Sequence, residues 1–378
     1  MSFSEQKKTY KIAWLPGDGI GIEVLEATKI VLDKIDFKAE YIHGDIGWEF
    51  WRTEGEALPQ RTVDLLNRVD AAMFGAITSK PVKAAESELI DELRGTGLIY
   101  RSPIVRMRQL FDLYICLRPT KAYPGNPLNY KDNIDIVMFR ENTEDLYSGV
   151  EFNTVPTELS EVLTKLSKPF AKFKDIPGSE YSISCKINTR TGCERIIRAA
   201  YEFARQFGRK KVTIVHKANV VRATDGLFLE TGKEVAKDYP EIQFDEANID
   251  AMTMWLLKNP YNYDVLVAPN LYGDIISDLC AQMVGGLGFG CSGNIGEKLA
   301  VFEPTHGSAP KYFGMYKVNP IATILAAKMM LDWLGEPEMG ERIEKACAAV
   351  IIEGKVRTYD IGGSATTIDI ANAIADKI

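Results

Sequence analysis

Short apolar runs of strand length alternate along this chain with longer segments whose apolar residues recur at helical spacing. That alternation admits few architectures other than a mostly parallel sheet with crossover helices. YKIAWL (Tyr10–Leu15), DAAMFGAI (Asp70–Ile77), DIVMF (Asp135–Phe139), KVTIVH (Lys211–His216) and DVLVAP (Asp264–Pro269) read as buried strands. Ile20–Ile35 places Val24, Leu25, Ile30, Val31, Leu32 and Ile35 near helical spacing, and TGCERIIRAAYEFARQFG reads as an amphipathic helix stopped by Gly208. IATILAAKMMLDWLG is apolar nearly all round, which suits a helix in the interior or at a subunit interface.

One stretch breaks the alternation. From Glu151 to Pro177 the chain is polar, with Pro and Lys scattered through it, and SEYSISCKI follows with alternating character. It reads as an insertion ending in β structure, able to pair between subunits. A length of 378 residues suggests two structural units. No linker separates them, so they are expected to be interleaved.

Composition narrows the partners. Acidic residues outnumber basic ones, 52 to 45, for a net charge of −7, which argues against nucleic acid as a partner. An acidic protein that binds an acidic metabolite must gather its basic residues locally. Six scattered cysteines without C-x-x-C spacing predict neither a disulfide framework nor a zinc site, only small buried hydrophobes. No apolar stretch approaches the roughly 20 residues of a membrane span. The start, MSFSEQKKTYKIAWL, lacks signal- and transit-peptide character, so the expected location is the cytoplasm, with no membrane partner.

Five motifs could carry chemistry. LPGDGIG places glycines at 17, 19 and 21, whereas a dinucleotide fingerprint needs its third glycine at 22, which is Ile22. It predicts a tight strand-to-helix turn rather than a standard Rossmann loop. Arg101, Arg106, Arg108, Arg118 and Arg140 lie close in sequence, and guanidinium groups grip carboxylates in planar, bidentate fashion, as a substrate with two or three carboxylates requires. In NLYGDIISD, Asp274 and Asp278 share a helix face, where two like charges call for a cation between them. With Asp250 they offer only hard oxygen ligands, which suit Mg²⁺ or Mn²⁺. Lys217 ends an apolar strand, where burial beside cations or apolar walls would make it a base; Tyr147 is a candidate general acid. The loop after His306, with Lys311 and Tyr312, could hold an adenine and ribose.

Taken in order, LPGDGIG, RENTEDLY, HKANV, NLYGDIISD, GNIG and THGSAPKY resemble the β-decarboxylating dehydrogenases that act on isocitrate, homoisocitrate and 3-isopropylmalate, and the resemblance runs through essentially the whole chain. It implies an α/β fold: an open mixed sheet in two interleaved domains without a standard Rossmann unit. The large coenzyme domain would be 1–111 plus 285–378 and the small domain 112–284, carrying the dimer interface and a clasp-like insertion at about 145–189. The resemblance assigns Tyr147 and Lys217 to catalysis and Arg108, Arg118, Arg140 and Asn219 to substrate, with Ser102 and Ile104 at the specificity position. Asp250, Asp274 and Asp278 match metal ligands. Thr78, Asn294, His306, Gly307, Ala309, Lys311, Tyr312, Asn319, Tyr359 and Asp360 fall where relatives hold the coenzyme. It further implies a homodimer whose active sites take Lys217 and Asp250 from the second subunit.

Substrate and coenzyme follow less directly. Isocitrate-specific relatives usually carry S-x-N where this chain has Ser102, Pro103 and Ile104. Ile104 suits an apolar substituent, whereas Arg101 or Arg106 would suit a third carboxylate. The expectation is isocitrate first, homoisocitrate second and 3-isopropylmalate third. Lys311, Tyr312, Val318 and Tyr359 resemble the NADP-linked pattern, although Gly363 stands where an arginine is common; NADP is expected, with NAD possible. Lys217, Tyr147 and the three aspartates are all present, which disfavours a non-catalytic regulatory subunit.

Overall fold

A computed structural model of the protein describes residues 9–378; the start of the N-terminal segment read above lies outside them. Twelve strands occur among the described residues: β1 (Tyr10–Gly17), β2 (Ala39–His43), β3 (Ala71–Ala76), β4 (Ile115–Lys121), β5 (Asp135–Glu141), β6 (Glu151–Phe152), β7 (Ile183–Ser184), β8 (Lys211–His216), β9 (Gln243–Asn248), β10 (Val265–Ala268), β11 (Cys291–Ile295) and β12 (Ala300–Pro304). Ten form one sheet in the order β2-β1-β3-β12-β11-β4-β5-β10-β8-β9. The outer strands pair in parallel, and the central pairs β12/β11, β11/β4 and β4/β5 are antiparallel. The sheet is therefore mixed, as expected.

Strand alternation sets four large apolar regions against the sheet, with two smaller clusters beside them. Ile12, Met73 and Phe302 face the helices Ile20–Lys34, Ile321–Trp333 and Pro337–Glu353, while Ala13, Leu15, Phe74 and Val301 face the opposite side. Across the antiparallel seam, Val137, Phe139 and Ile214 pack under the helix Arg190–Gln206. Ile136, Met138 and Leu266 pack under Ile249–Lys258 and Asn270–Met283. Both faces are covered, so the strands read as continuous apolar runs. The helix Ile321–Trp333 is buried along almost its whole length, which accounts for its all-apolar sequence.

The insertion differs from its reading. It contains the helix Thr157–Leu166 and the 3₁₀ turn Lys168–Phe173, and its β structure is limited to the two-residue pair β6/β7 and a single bridge between Asp145 and Ile187. Helical spacing in TELSEVLTKL went unread because no buried face marks it; none of its residues is buried.

The LPGDGIG loop is a site of close approach. Gly17 has φ 69°, and a Cβ there would lie 1.9 Å from the carbonyl oxygen of Ala76. Gly208 shares a positive φ of 66°, but nothing lies within 4 Å of its Cβ position. Gly208→Ala should therefore lower stability by about 1 kcal/mol, the backbone term alone. Gly17→Ala should lower it by more than about 3 kcal/mol because β1 and β3 must part. Equal denaturation midpoints for the two variants would contradict this packing.

Candidate active site

The arginines converge from three elements. β4 and β5 pair with Cys116 opposite Arg140 and Arg118 opposite Met138, which puts Arg118 and Arg140 on one face of the seam. Arg108 comes from the helix Pro103–Leu110. All three are buried. Opposite them, the helix Asn270–Met283 presents Asp274 and Asp278 one turn apart. Arg140 Nη1 is ion-paired with Asp274, Arg118 Nη1 lies 3.3 Å from the same carboxylate, and the Tyr147 hydroxyl donates to Asp274 Oδ2 at 2.7 Å. Arg118 Nη1 also lies 3.4 Å from Asp278 and donates to Ser277 Oγ at 2.7 Å. Arg118 Nε is buried without a hydrogen-bond partner, an orphaned donor inside the cluster.

Electrostatics set the two aspartates apart. Burial pushes Asp274 up, but Arg140 and Arg118 outweigh it and hold the carboxyl below its ordinary value. Burial also raises Asp278, and although Arg118 opposes it, burial together with the neighbouring Asp274 prevails, so its carboxyl lies above the ordinary value. Burial raises the Tyr147 phenol and Asp274 reinforces it against the opposing Arg140, which keeps a proton on the hydroxyl.

Asp250 stands elsewhere in this chain. It lies in the first turn of Ile249–Lys258, with its side chain 66% exposed, and is ion-paired with Lys217 just beyond β8. The expectation that cations or apolar walls surround Lys217 is corrected here: a carboxylate is its partner. Asn219 is exposed two residues on, in the turn where Val220 N and Val221 N donate to Lys217 O at 2.9 and 2.8 Å. Among the described residues no three His, Cys, Asp or Glu side chains converge as a metal site would need. Asp274 and Asp278 offer hard oxygen donors of the kind a divalent cation takes, one turn apart on one helix, while Asp250 lies apart with Lys217.

A third group gathers around the 306–312 loop. His306 Nε2 is buried without a partner, and burial holds the ring below its ordinary pKa, leaving a neutral imidazole. Gly307 is exposed, and Ala309 takes φ 35° where the chain turns. Thr78 Oγ1 lies 2.7 Å from Ser308 Oγ, while Asn319 Nδ2 donates to Asp360 Oδ2 at 3.1 Å. The rings of Tyr312 and Tyr359 stand 5.6 Å apart; Lys311 lies 4.8 Å from the Tyr312 ring, and Lys317 4.5 Å from that of Tyr359. Val318 is buried beneath them. A Cβ at Gly363 would lie 2.0 Å from Arg357 O, so the backbone leaves no room for a side chain there.

Several placements differ from expectation. Asn294 does not face the coenzyme group: its Oδ1 accepts from Arg108 Nε at 2.9 Å and its Nδ2 donates to Glu303 at 2.7 Å. Arg106 is turned away from the cluster, donating to Leu58 O at 3.0 Å and paired with Glu56. Ile104 is packed in the apolar core with Leu58 and Met107 rather than standing open. Ser102 caps the helix Pro103–Leu110 without using its hydroxyl to do so. Sequence reasoning missed Lys317, whose place beside two tyrosines only the loop geometry reveals. It also missed Asn270, whose Oδ1 accepts from Arg140 Nε and Nη2 at 2.9 and 2.7 Å, and Asp18, whose carboxylate accepts from Trp48 N and Thr78 N at 2.7 and 2.8 Å. Asp18, inside LPGDGIG, was the legible signal of these.

Compared with known proteins, residues 11–375 match the family model described as isocitrate/isopropylmalate dehydrogenase. The chain is 41% identical over 368 residues to the 3-isopropylmalate dehydrogenase of Archaeoglobus fulgidus, covering 97% of this chain and 99% of that protein. It is 40% identical over 379 residues to the homoisocitrate dehydrogenase of Methanocaldococcus jannaschii, covering 97% of each. Protein DlpA of Legionella pneumophila is 39% identical over 97% of this chain, which spans only 58% of DlpA's length. Among solved structures, isocitrate dehydrogenase from Methylococcus capsulatus superposes with a TM-score of 0.84 at 36% identity, covering 98% of this chain and 99% of that one.

Proposed function

The chain belongs to the isocitrate/isopropylmalate dehydrogenase family of metal-dependent, oxidatively decarboxylating dehydrogenases, and we propose that it converts isocitrate to 2-oxoglutarate with reduction of NADP⁺. The family uses NAD(P) and a divalent metal such as Mg²⁺ or Mn²⁺, acts on small molecules and generally forms dimers. The observation that carries the reading is the pairing of buried Arg118 and Arg140 with Asp274, with the Tyr147 hydroxyl on the same carboxylate and buried Arg108 held nearby by Asn294 and Glu303.

The three guanidinium groups bind and orient the carboxylates of a malate-like core. Asp274 and Asp278 of one chain with Asp250 of the other would hold the divalent metal, which would supply Lewis-acid polarisation to the hydroxy acid. Lys217 Nζ would take the proton of the 2-hydroxyl, and a coenzyme bound at the 306–312 loop would supply the hydride acceptor. The β-keto acid then loses carbon dioxide, and the Tyr147 hydroxyl donates a proton to the enol carbon. His306, Gly307, Ala309, Asn319, Asp360 and Thr78 hold the adenosine end of the coenzyme.

Shared sites fit the separation of Asp250 and Lys217 from Asp274 and Asp278. Val220, Met254, Leu257 and Ile275 are exposed apolar residues beside Lys217, Asp250 and Asp274, and a second copy of this chain is the partner that would cover them. The separation of the apolar regions supports interleaved units at 1–111 plus 285–378 and 112–284. All six cysteines are free thiols, which supports a reducing, cytoplasmic setting. No helix among the described residues is long and apolar enough to cross a membrane.

For the substrate, Ser102 offers a free hydroxyl at a helix N-terminus, with Arg101 beside it, and both favour a third carboxylate. Arg106 no longer contributes. Homoisocitrate is the second reading, since the same groups would meet its carboxylate one methylene further out; 3-isopropylmalate is third. Catalytic efficiency for each acid with NAD⁺ and NADP⁺ in the presence of Mg²⁺ tests the proposal, and a higher value for 3-isopropylmalate than for either tricarboxylate would overturn it. The NADP preference is ascribed to Lys311, Lys317, Tyr312 and Tyr359 meeting the 2′-phosphate. Replacing both lysines with Ala should lower kcat/KM for NADP⁺ by about 10- to 100-fold and leave NAD⁺ nearly unchanged. An equal loss with both coenzymes would contradict that assignment.

A further inference from the structure

Lys186, two residues after β7, has no part in the chemistry above, yet its side chain is only 14% exposed and stands between two wholly buried carboxylates. Its ammonium is ion-paired with Asp225 Oδ1, lies 3.8 Å from Asp145 Oδ1, and sits 4.3 Å from the centre of the Tyr272 ring. Each carboxylate reaches onward. Asp225 Oδ2 accepts the backbone N–H of Lys217 at 2.7 Å. Asp145 Oδ1 accepts from Leu146 N at 2.8 Å and its Oδ2 from Leu271 N at 3.0 Å, while Asp145 N donates to Ile187 O at 2.8 Å. Asp145 has φ 68°, a left-handed conformation that a side-chain-bearing residue keeps only when its surroundings fix it. It opens the turn Leu146–Ser148, which carries Tyr147.

We propose that Lys186 is a positioning residue that sets Tyr147 and Lys217 together, by holding the carboxylate at the base of the Tyr147 turn against the carboxylate that anchors the Lys217 backbone. The inference rests on the reading of those two residues as the proton-transfer pair. Without the ammonium, two buried carboxylates face each other in a medium of low dielectric, and one or both must move. Because Tyr147 works in its own chain's site and Lys217 in the partner's, a single Lys186 serves two active sites. None of Arg108, Arg118, Arg140, Asp274 or Asp278 has Lys186 as a partner, so substrate binding is not its task.

The test is Lys186→Met in the full chain, with isocitrate, Mg²⁺ and NADP⁺. We expect kcat to fall by about 100-fold, the loss that misplacing a reacting group by about 1 Å produces, with KM nearly unchanged. Differently tagged chains then give hybrid dimers. Wild-type chains paired with Lys217→Met or Tyr147→Phe chains should keep half of the activity, and Lys217→Met paired with Tyr147→Phe should recover one working site. Wild-type paired with Lys186→Met should lose nearly all activity, because both sites are disturbed. If unpaired carboxylates prevent the single variant from folding, Lys186→Met with Asp225→Asn removes one of them and enters the same hybrids. Half activity in the Lys186 hybrid, with complementation intact, overturns this proposal alone. Failure of Lys217→Met to complement Tyr147→Phe overturns the shared-site reading and the proposal with it.

Discussion

Lys217→Met and Tyr147→Phe should each lower kcat for the overall reaction by about 10³-fold or more while leaving a folded protein, the range that loss of a positioned acid or base produces. The folded state has little at stake in either group. The Lys217 ammonium meets only the exposed Asp250 carboxylate, and the Lys217 backbone stays held by Asp225. The Tyr147 hydroxyl makes one hydrogen bond, to Asp274, worth about 1 kcal/mol of stability. The two variants should differ in which half of the reaction fails. Lys217→Met should still accept the β-keto acid intermediate for decarboxylation, because only the initial hydroxyl proton is its concern. Tyr147→Phe should form reduced coenzyme slowly at best and release a product whose enol carbon is protonated by solvent, without stereocontrol. Near-normal turnover by either variant would remove that residue from the mechanism.

Asp274→Asn should raise the Mg²⁺ concentration needed for half-maximal activity by at least about 100-fold, because a charged ligand is replaced by a neutral one of the same shape. The effect is expected on substrate binding as well as on metal, since Asp274 also orders Arg140, Arg118 and Tyr147. Asn270 continues to hold Arg140 through two hydrogen bonds, so the guanidinium remains in place and the variant should fold. Isothermal titration with Mg²⁺ and isocitrate together separates this from simple destabilisation. Unchanged metal affinity with a lowered melting temperature would make Asp274 a structural counter-ion to the arginines and nothing more.

What was legible in the sequence follows a physical division. Buried strands such as Lys211–His216 and Val265–Ala268 are apolar on both faces, and they could be read without any partner in view. The edge strand β9 and the seam strand β11 could not. β9 has no fully buried residue, and β11 is a run of Cys, Ser, Gly, Asn and Ile that becomes a strand only between β12 and β4. Arg118 and Arg140 drew attention because charge has few structural reasons to sit in an apolar strand, and Asp274 and Asp278 because two like charges share one helix face. Asn294 was misplaced because its sequence neighbourhood says nothing of the Arg108 guanidinium, which reaches it from 186 residues away. Arg106 was given a substrate role because arginines close in sequence look alike, although Arg106 and Arg108 leave the same helix in different directions. Lys186 was invisible for a related reason: its two carboxylates lie 41 and 39 residues away, and only the assembled fold brings them to one ammonium.

The measurement that tests the central claim most directly follows coenzyme reduction and release of carbon dioxide together, with purified protein, isocitrate carrying a labelled β-carboxylate, NADP⁺ and Mg²⁺, before and after exhaustive chelation. The account predicts one labelled carbon dioxide for each NADPH, both lost on chelation and both restored by Mg²⁺ or Mn²⁺. Reduction without carbon dioxide release, or full activity after chelation, would contradict it.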